Sequence, residues 1–176
     1  MSQISQMVQS PVGPLKITVE DGFVTGLEFS EGTSKTQKLD VPYETNLGDR
    51  TAVRTGKKDE DNLKVLNQAI HELDAYFAGR LHRFTVPVRF SGTHFQQTVW
   101  QAMQEISYGE TKTYGELAGA AGSPKAARAV GNACAANPVA IIVPCHRVLA
   151  QNGLGGFGGG IDTKRWLLDL ERTNAD

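Results

Sequence analysis

The sequence predicts a mixed α+β fold in which a small layer of antiparallel strands precedes a mainly helical half. Residues 15–29 alternate apolar and polar side chains on both sides of Asp21-Gly22, a pattern typical of a β-hairpin. Apolar residues then recur at helical spacing over residues 63–77, and again beyond residue 92. With 176 residues the chain can form one larger domain or two small ones. We place a boundary near Ser91-Gly92, which gives domains 1–91 and 92–176.

The first domain is predicted to begin with an antiparallel meander of three strands. These strands lie around residues 7–9, 15–19 and 23–29. Residues 31–61 are polar and show no sustained period, so we expect a loop there. A short strand around residues 39–41 is left open.

A helix should then cover the meander. Its apolar side chains extend from Leu63 to Phe77, and Gly79 suits the left-handed position that follows many helices. Residues 84–88 read as one more short strand. Pro87 cannot donate to a strand ladder and therefore indicates an edge position.

The second domain is predicted to contain a helix-turn-helix. Thr93 and Gln96 form a capping box for a helix that ends near Tyr108. Thr113 and Glu116 form a second capping box. Tyr114 therefore becomes the first residue of a short helix that ends near Gly122. A second helix joined to it by Gly-Ser completes the motif.

The second helix of this motif has an unusual composition. Ser123 is expected to cap it, with Pro124 in its first turn, and it should run to about Ala136. Alanine and glycine dominate, while Arg128 is the one long cation beyond the cap. A backbone with so little bulk can approach another surface closely. That surface could belong to a ligand or to the rest of the protein.

An apolar run, Ile141-Ile142-Val143, ends at a proline, and a cysteine and a histidine follow directly. We expect a strand-like segment that stops at Pro144 and turns Cys145 towards a cavity. An ordinary thiol has a pKa of about 8.5 and needs a neighbouring base to act as a nucleophile near neutral pH. His146 is the nearest candidate. By itself the pair also fits a buried small hydrophobe beside a loop histidine.

Composition excludes several classes of protein. Cys134 and Cys145 are the only cysteines and form no CxxC pair, so we expect neither a metal site nor a disulfide framework, and no cofactor. No stretch approaches the length of a membrane span, and no leader is visible, so we predict a cytoplasmic protein with reduced thiols and no membrane contact. The total charge, 18 basic against 19 acidic residues, is not that of a general nucleic-acid binder. Residues 111–150 nevertheless carry an excess of basic side chains.

A family resemblance rests on the segment around the cysteine. The matching residues are Asn137-Pro138 and Ile142-Val143-Pro144-Cys145-His146-Arg147-Val148. They resemble the signature of the O6-alkylguanine-DNA alkyltransferases, also called methylated-DNA-protein-cysteine methyltransferases. The resemblance extends from about Phe95 to Glu171 and, more weakly, through Tyr76-Phe77-Ala78-Gly79.

The resemblance implies a fold and a reaction. The first domain would be ribonuclease-H-like, and the second would be winged-helix-like with the helix-turn-helix. The protein would repair duplex DNA by moving the alkyl group of O6-alkylguanine, and less efficiently of O4-alkylthymine, irreversibly to its own cysteine after base flipping. It would bind double-stranded DNA through the minor groove. We expect a monomer in solution, with cooperative assembly on DNA left open.

The resemblance also implies catalytic roles. Cys145 would be the nucleophile, His146 its base through a water molecule, and Glu171 the group that orients His146. Tyr114 would help rotate the nucleotide and donate to guanine N3, and Asn137 joins this set. In the last helix, which Asp162 is expected to cap, Glu171 lies at the edge of an apolar stripe and needs a partner.

DNA and substrate contacts follow from the same resemblance. Arg128 would fill the space of the flipped nucleotide. The other residues expected at the DNA are Tyr114, Lys125, Ala127, Ala129 and Gly131. Those expected around the base are Val148, Phe157, Gly158 and Cys134, with packing as the other role for Cys134. Gly158 lies in a glycine-rich stretch and would offer its backbone amide to O6.

Two other functions remain open at this level. A non-enzymatic lesion sensor would keep Tyr114 and Arg128 but lack the nucleophile, so the presence of Cys145 argues against it. A cysteine hydrolase would use Cys145 and His146 on acyl substrates, and turnover of a small ester would reveal it.

Overall fold

The computed structural model describes residues 2–30 and 57–176. The first half contains an antiparallel sheet of three strands in the order β1 (Gln3–Val8), β2 (Leu15–Glu20) and β3 (Phe23–Phe29). The second half is mainly helical. The predicted mixed α+β class and the antiparallel meander are confirmed, although β1 begins earlier in the chain than expected.

The β2–β3 hairpin turns at the predicted dipeptide. Asp21 and Gly22 both have positive φ, 47° and 81°, which is the backbone requirement of a tight hairpin turn with the twist of its strands. The pairing of β2 with β3 changes register between Thr18 and Val19, before the turn. Alternate side chains of β2, at Leu15, Ile17 and Val19, are fully buried.

A long helix, α1 (Lys57–Phe77), packs on this sheet as predicted and buries Leu66, Ile70, Leu73 and Tyr76. The predicted loop over residues 31–61 is wrong for residues 57–61, which form the first turn of α1. Asp59 and Glu60 lie in that turn, where acidic side chains interact favourably with the helix dipole even without an apolar period. The rest of the loop, with the strand around 39–41, lies outside the described residues. Gly79 follows the helix with a φ of 70°.

The strand predicted at residues 84–88 is wrong, because only one bridge forms there, between Val88 and Val24 of β3. The reason lies in α1. The carboxylate of Glu72 accepts the backbone N–H groups of Thr85 and Val86 at 2.9 and 3.1 Å. These amides are therefore directed at the helix rather than at a neighbouring strand.

The second half contains α2 (His94–Gln104), α3 (Tyr114–Ala120), α4 (Ala127–Ala135) and α5 (Ile161–Asn174), with a 3-10 helix at Cys145–Arg147. Two short strands, β4 (Lys112–Thr113) and β5 (Val148–Leu149), pair in parallel. The capping boxes predicted at Thr93 and Thr113 are both present. The first of these helices ends at Gln104, earlier than predicted.

Two predicted helix caps are wrong. Ser123 does not cap α4, because its carbonyl accepts the N–H of Ala126 at 2.9 Å and closes a separate turn before the helix begins. Asp162 does not cap α5, since the N-cap is Gly160 and Asp162 lies within the first turn. An acidic side chain in the first turn still interacts favourably with the helix dipole.

Buried side chains from both halves form one hydrophobic cluster. Leu27 of β3 exchanges backbone hydrogen bonds with the second half, donating to the Pro138 carbonyl at 2.9 Å and accepting the Ala140 N–H at 3.1 Å. The first half therefore packs directly behind the segment that leads to Cys145. Among the described residues, we find no helix with both the length and the apolarity to cross a membrane.

Candidate active site

The apolar run before Cys145 is a turn and not the predicted strand. Ile141 and Ile142 occupy the turn, and Ile141 is fully buried with a φ of 69°, a left-handed conformation that is uncommon for a β-branched residue. Asn137 holds the turn in place. Its side-chain amide donates to the Val143 carbonyl at 2.8 Å, and its oxygen accepts the Val139 N–H at 3.0 Å. These bonds satisfy backbone groups that a strand ladder would otherwise have paired.

Cys145 opens the 3-10 helix and is partly buried. Burial raises the pKa of its thiol, whereas a hydrogen bond from Asn137, the charge of Lys164 and the amides of Cys145 and His146 act in the opposite direction. The thiol therefore stays protonated at rest, while donors and a cation are already in place for the thiolate.

His146 and Glu171 lie in direct contact, with Nε2 2.6 Å from Oε1 of the carboxylate. Both side chains are fully buried. Glu171 was expected at the edge of an apolar stripe, but α5 instead places it inside the molecule against the 3-10 helix. The residues predicted as base and orienting group are thus brought together.

Glu171 also binds Arg147, whose guanidinium donates from Nε to Oε2 at 2.9 Å and from Nη2 to Oε1 at 3.0 Å. The backbone of Gly109 and the hydroxyl of Tyr76 donate to the same carboxylate at 3.1 and 2.7 Å. Burial alone would raise the pKa of Glu171, but the bonds from His146 and Arg147 outweigh it and lower the pKa to about 2. Glu171 is therefore ionised at neutral pH.

An ionised carboxylate only accepts hydrogen bonds, so Nε2 of His146 carries the proton. The other ring nitrogen, Nδ1, is buried and has no hydrogen-bond partner in the described part of the chain. Burial lowers the pKa of His146, and the hydrogen bond to Glu171 and its negative charge offset this only in part, because the charges of Arg147 and Lys164 also lower it. The imidazole is therefore neutral at pH 7, with its basic nitrogen available.

Tyr114 opens α3, as its capping box predicted. The parallel pairing of β4 with β5 ties the start of this helix to the chain just after Cys145, with Thr113 opposite Leu149. The Tyr114 hydroxyl lies against the glycine-rich stretch, because a Cβ on Gly155 would come within 2.9 Å of it. Burial raises the pKa of Tyr114, which keeps the phenol protonated.

The residues predicted to contact DNA lie on α3, on α4 and in the turn between them. Arg128, Lys125 and Ala129 are exposed. A cavity of about 720 Å³ is bordered by the starts of α3 and α4 and by residues 150–151 after β5, and its lining includes Tyr114 and Arg128. Gly131 faces the Tyr114 ring, since a Cβ there would meet it at 3.9 Å, and Ala127 lines the cavity.

Two of the residues predicted to surround the flipped nucleobase are buried inside the protein. Val148 is fully buried in β5. Cys134 is buried, its thiol donates to the Met103 sulfur at 3.7 Å, and burial raises its pKa to about 12. Such a thiol is unsuited to be a nucleophile, which agrees with a packing role.

Phe157 and Gly158 lie in the glycine-rich stretch before α5. Phe157 packs edge-on against Phe29 of β3, with ring centroids 5.5 Å apart. A Cβ added to Gly159 would come within 2.8 Å of the same Phe29 ring. By contrast, no atom lies within 4 Å of a Cβ built on Gly158, so its backbone borders open space.

Three further polar residues are buried at the site and were given no role from the sequence, namely Tyr76, Arg147 and Lys164. Lys164 is fully buried and donates from Nζ to the carbonyls of Val148 and Gly156 at 2.6 and 3.2 Å. Its spacing of seven residues from Glu171 places both on one face of α5, a signal that was available. No local pattern indicated the contact between Tyr76 and Glu171, because the two residues are 95 positions apart.

A metal centre has no candidate ligands within residues 2–30 and 57–176, where no group of three or more His, Cys, Asp or Glu side chains could hold an ion.

Both halves of the chain match models of known protein families. Residues 94–173 match the family model for the 6-O-methylguanine DNA methyltransferase DNA binding domain, and residues 4–90 match the model for its ribonuclease-like domain. The chain belongs to the 6-O-methylguanine DNA methyltransferase family. The family resemblance stated from the sequence is confirmed.

Relatives of this methyltransferase family member cover nearly the whole chain. The chain is 44% identical over 166 residues to the methylated-DNA–protein-cysteine methyltransferase of Mycobacterium leprae. This alignment covers 94% of the chain and 90% of the relative. The protein of the same name from Methanosarcina acetivorans is 42% identical, with coverage of 93% and 94%. Among solved structures, Mycobacterium tuberculosis OGT in complex with DNA superposes with a TM-score of 0.76 at 43% identity, covering 97% of this chain and 93% of that chain.

Proposed function

We propose that this methyltransferase repairs duplex DNA by direct reversal, moving the alkyl group of O6-alkylguanine, and less efficiently of O4-alkylthymine, to Sγ of Cys145. The observation that carries the proposal is the arrangement of Cys145 beside a buried, neutral His146 whose Nε2 is held by Glu171 at 2.6 Å. The names of the relatives support the same reaction, since they are methylated-DNA–protein-cysteine methyltransferases.

The proton of Cys145 passes through a water molecule to Nδ1 of His146, and Glu171 stabilises the resulting imidazolium. The thiolate then attacks the alkyl carbon in line. A carbon–sulfur bond forms, the carbon–oxygen bond breaks, and its electron pair passes to the guanine. Tyr114 offsets the charge that develops there by donating its hydroxyl to N3. Asn137 and Lys164 stabilise the thiolate before attack.

The base must leave the helix for this reaction, because a stacked base cannot align its O6 substituent with a protein thiol. The small side chains of α4 suit a close approach to the minor groove, and Arg128 takes the place of the flipped nucleotide. A further supporting observation is the cavity of about 720 Å³ that Arg128 and Tyr114 share. Lys125 and Ala129 are exposed near Arg128 in the sequence.

The product is a thioether, which has no carbonyl for water to attack, so each molecule acts once and needs no cofactor. We propose that residues 92–176 form the domain that carries the DNA contacts and the reacting groups, and that residues 1–91 form the other domain. A monomer in a reducing, cytoplasmic compartment fits a mechanism that needs one free thiol per molecule.

Intact-mass measurement tests the proposal. Incubation with a duplex that contains O6-methylguanine should add one methyl group per protein, map it to Cys145 and restore guanine in the DNA. Cys145→Ala should bind the duplex about as well as the parent, because Arg128 and Tyr114 are unchanged, but should transfer nothing. A methyl on Cys134, or several DNA molecules repaired by one protein, would contradict the mechanism.

The same protein distinguishes the alternatives. A lesion sensor would bind the duplex and gain no mass. A cysteine hydrolase would turn over a small activated ester many times, whereas the proposed methyltransferase should not.

A further inference from the structure

Tyr76 connects the first half of the chain to the reacting groups of the second. It lies near the end of α1 and is fully buried. Its hydroxyl donates to Oε1 of Glu171 at 2.7 Å and lies 3.3 Å from Nε2 of His146. Nothing in the reaction proposed above requires this contact, because the proton moves from Cys145 through His146.

The hydroxyl and the imidazole meet at the same carboxylate oxygen. Oε1 accepts from His146 Nε2, from Tyr76 and from Nη2 of Arg147, at 2.6, 2.7 and 3.0 Å. Oε2 accepts from Nε of Arg147 and from the Gly109 N–H. A carboxylate offers about four lone-pair directions, so these five donors occupy it fully and fix its rotation. The direction in which His146 points its basic Nδ1 follows from that rotation.

The position of the Tyr76 hydroxyl is itself well defined. The ring lies against Phe84, with centroids 5.3 Å apart, and edge-on to Tyr108 at 6.0 Å. Since α1 packs on the sheet of the first half, the hydroxyl is held by a rigid element and not by a loop.

We propose that Tyr76 is a positioning residue for alkyl transfer: its hydroxyl, supplied by the first half of the chain, fixes the Glu171 carboxylate and through it the orientation and basicity of His146. The inference rests on the proposed function, because it assigns Tyr76 a part in that same reaction. It gives the first half a direct role in the chemistry, in addition to packing.

The expected effect on basicity has a definite sign. The charged and titratable groups around His146 are Glu171 and Lys164 on α5, Cys145 and Arg147 on either side of it in the 3-10 helix, and Tyr76 on α1. The Tyr76 donor disperses part of the negative charge of Glu171. Without it, the carboxylate would stabilise the imidazolium more strongly, and His146 would be protonated at a higher pH.

Tyr108 provides a matched control. It belongs to the same aromatic cluster and lies 5.7 Å from the Arg147 guanidinium carbon, but its buried hydroxyl has no hydrogen-bond partner among the described residues. Tyr76→Phe and Tyr108→Phe therefore remove the same atom from neighbouring rings. Only the first removal changes a bond to Glu171.

The test measures single-turnover methyl transfer from an O6-methylguanine duplex over a pH series, with protein in excess. Tyr76→Phe should lower the maximal rate by roughly tenfold, the effect of one charge-assisted hydrogen bond, and move the acid limb of the rate profile to higher pH. Tyr108→Phe should change neither. Circular dichroism over the same pH series shows whether Tyr76→Phe stays folded, so that a shift of the limb is assigned to the ionisation of His146 and not to acid unfolding.

Three results would overturn the inference. Tyr76→Phe could transfer with the rate and pH profile of the parent, or Tyr108→Phe could reproduce its loss and shift, which would assign the effect to ring packing. A lower rate with an unchanged acid limb would also contradict it. Failure of the parent to transfer would overturn the proposed function and this inference together, whereas the other outcomes leave the proposed function standing.

Discussion

Buried charged side chains around Cys145 are each matched by specific partners. Lys164 donates to two carbonyls, and Arg147 donates to Glu171 and, at 2.6 Å, to the Ile106 carbonyl. Such bonds offset much of the desolvation that a buried charge suffers. Arg128 differs from them because it is exposed on α4 beside the cavity. The buried cations thus organise the site, whereas Arg128 is available to a partner molecule.

Arg128→Ala should lose transfer on duplex DNA far more than on a free O6-alkylguanine base, because the free base leaves no gap to be filled. The loss on the duplex should be on the order of the few kcal/mol that unstacking requires. Arg128→Lys should recover only part of it, since lysine lacks the planar group that can stand in for a base. Single-turnover rates on the two substrates measure the difference.

Two outcomes would contradict this role for Arg128. If lysine substitutes well and the deficit disappears at low salt, Arg128 is a phosphate contact. If duplex and free base lose equally, the substitution has damaged α4 itself.

At the scale of elements, short pieces of regular structure place the reacting groups. The two-residue ladder of β4 and β5 holds the start of α3 beside the chain that leaves the 3-10 helix. Thr113 is both the last residue of β4 and the N-cap of α3, where its hydroxyl accepts the Glu116 N–H at 3.2 Å. The position of Tyr114 therefore depends on one cap.

Thr113→Ala should lower the free energy of unfolding by about 1 kcal/mol, the usual effect of losing an N-cap. It should also reduce transfer on duplex DNA, because the start of α3 would no longer fix Tyr114. Thr93→Ala is the matched control, since Thr93 makes the same capping box on α2. It should show a similar loss of stability with transfer unchanged. Denaturant unfolding and single-turnover rates measure the two effects, and equal transfer in both variants would show that the cap does not position Tyr114.

At the scale of the whole molecule, Glu171 joins elements from both halves. Its carboxylate binds Tyr76 of α1, His146 and Arg147 of the 3-10 helix, and the backbone of Gly109 after α2. The bridge between Leu27 and Val139 makes a second connection between the halves. Loss of either connection should therefore lower the stability of both halves.

Glu171→Gln should reduce the free energy of unfolding at pH 7 by about 3 kcal/mol, because Arg147 would remain buried without its counter-charge. Asp169→Asn on the exposed side of α5, where Asp169 pairs with Arg172, should change it by less than about 0.5 kcal/mol. Denaturant unfolding of the two variants and of the parent at pH 7 measures these changes in the free energy of unfolding.

The pH dependence of the same comparison has a definite sign. The pKa of Glu171 is lowered from 4.5 to about 2 in the folded protein, so its ionisation stabilises the fold above pH 4.5 and this stabilisation is lost as pH falls towards 2. The difference in stability between the parent and Glu171→Gln should accordingly narrow over that range. A difference that stays constant would contradict the assigned ionisation.

The sequence by itself determined the α+β class, the hairpin at Asp21-Gly22 and the two capping boxes. It also identified the family and, by that resemblance, the candidate residues around Cys145. These features depend on local chemistry: a hairpin turn needs two residues with positive φ, and a capping box is complete within four consecutive residues. A periodic pattern or a short motif therefore indicates such local structure without knowledge of the rest of the fold.

Tertiary structure alone decided which of these residues meet. It made the run Ile141-Ile142-Val143 a turn, because Asn137 satisfies the backbone groups that a strand would have paired. It also replaced the strand at residues 84–88 by bonds to Glu72. The hydrogen bond from Tyr76 to Glu171 spans 95 residues of sequence, and no local pattern contains it, because its energy depends on how α1 and α5 pack around the same buried carboxylate.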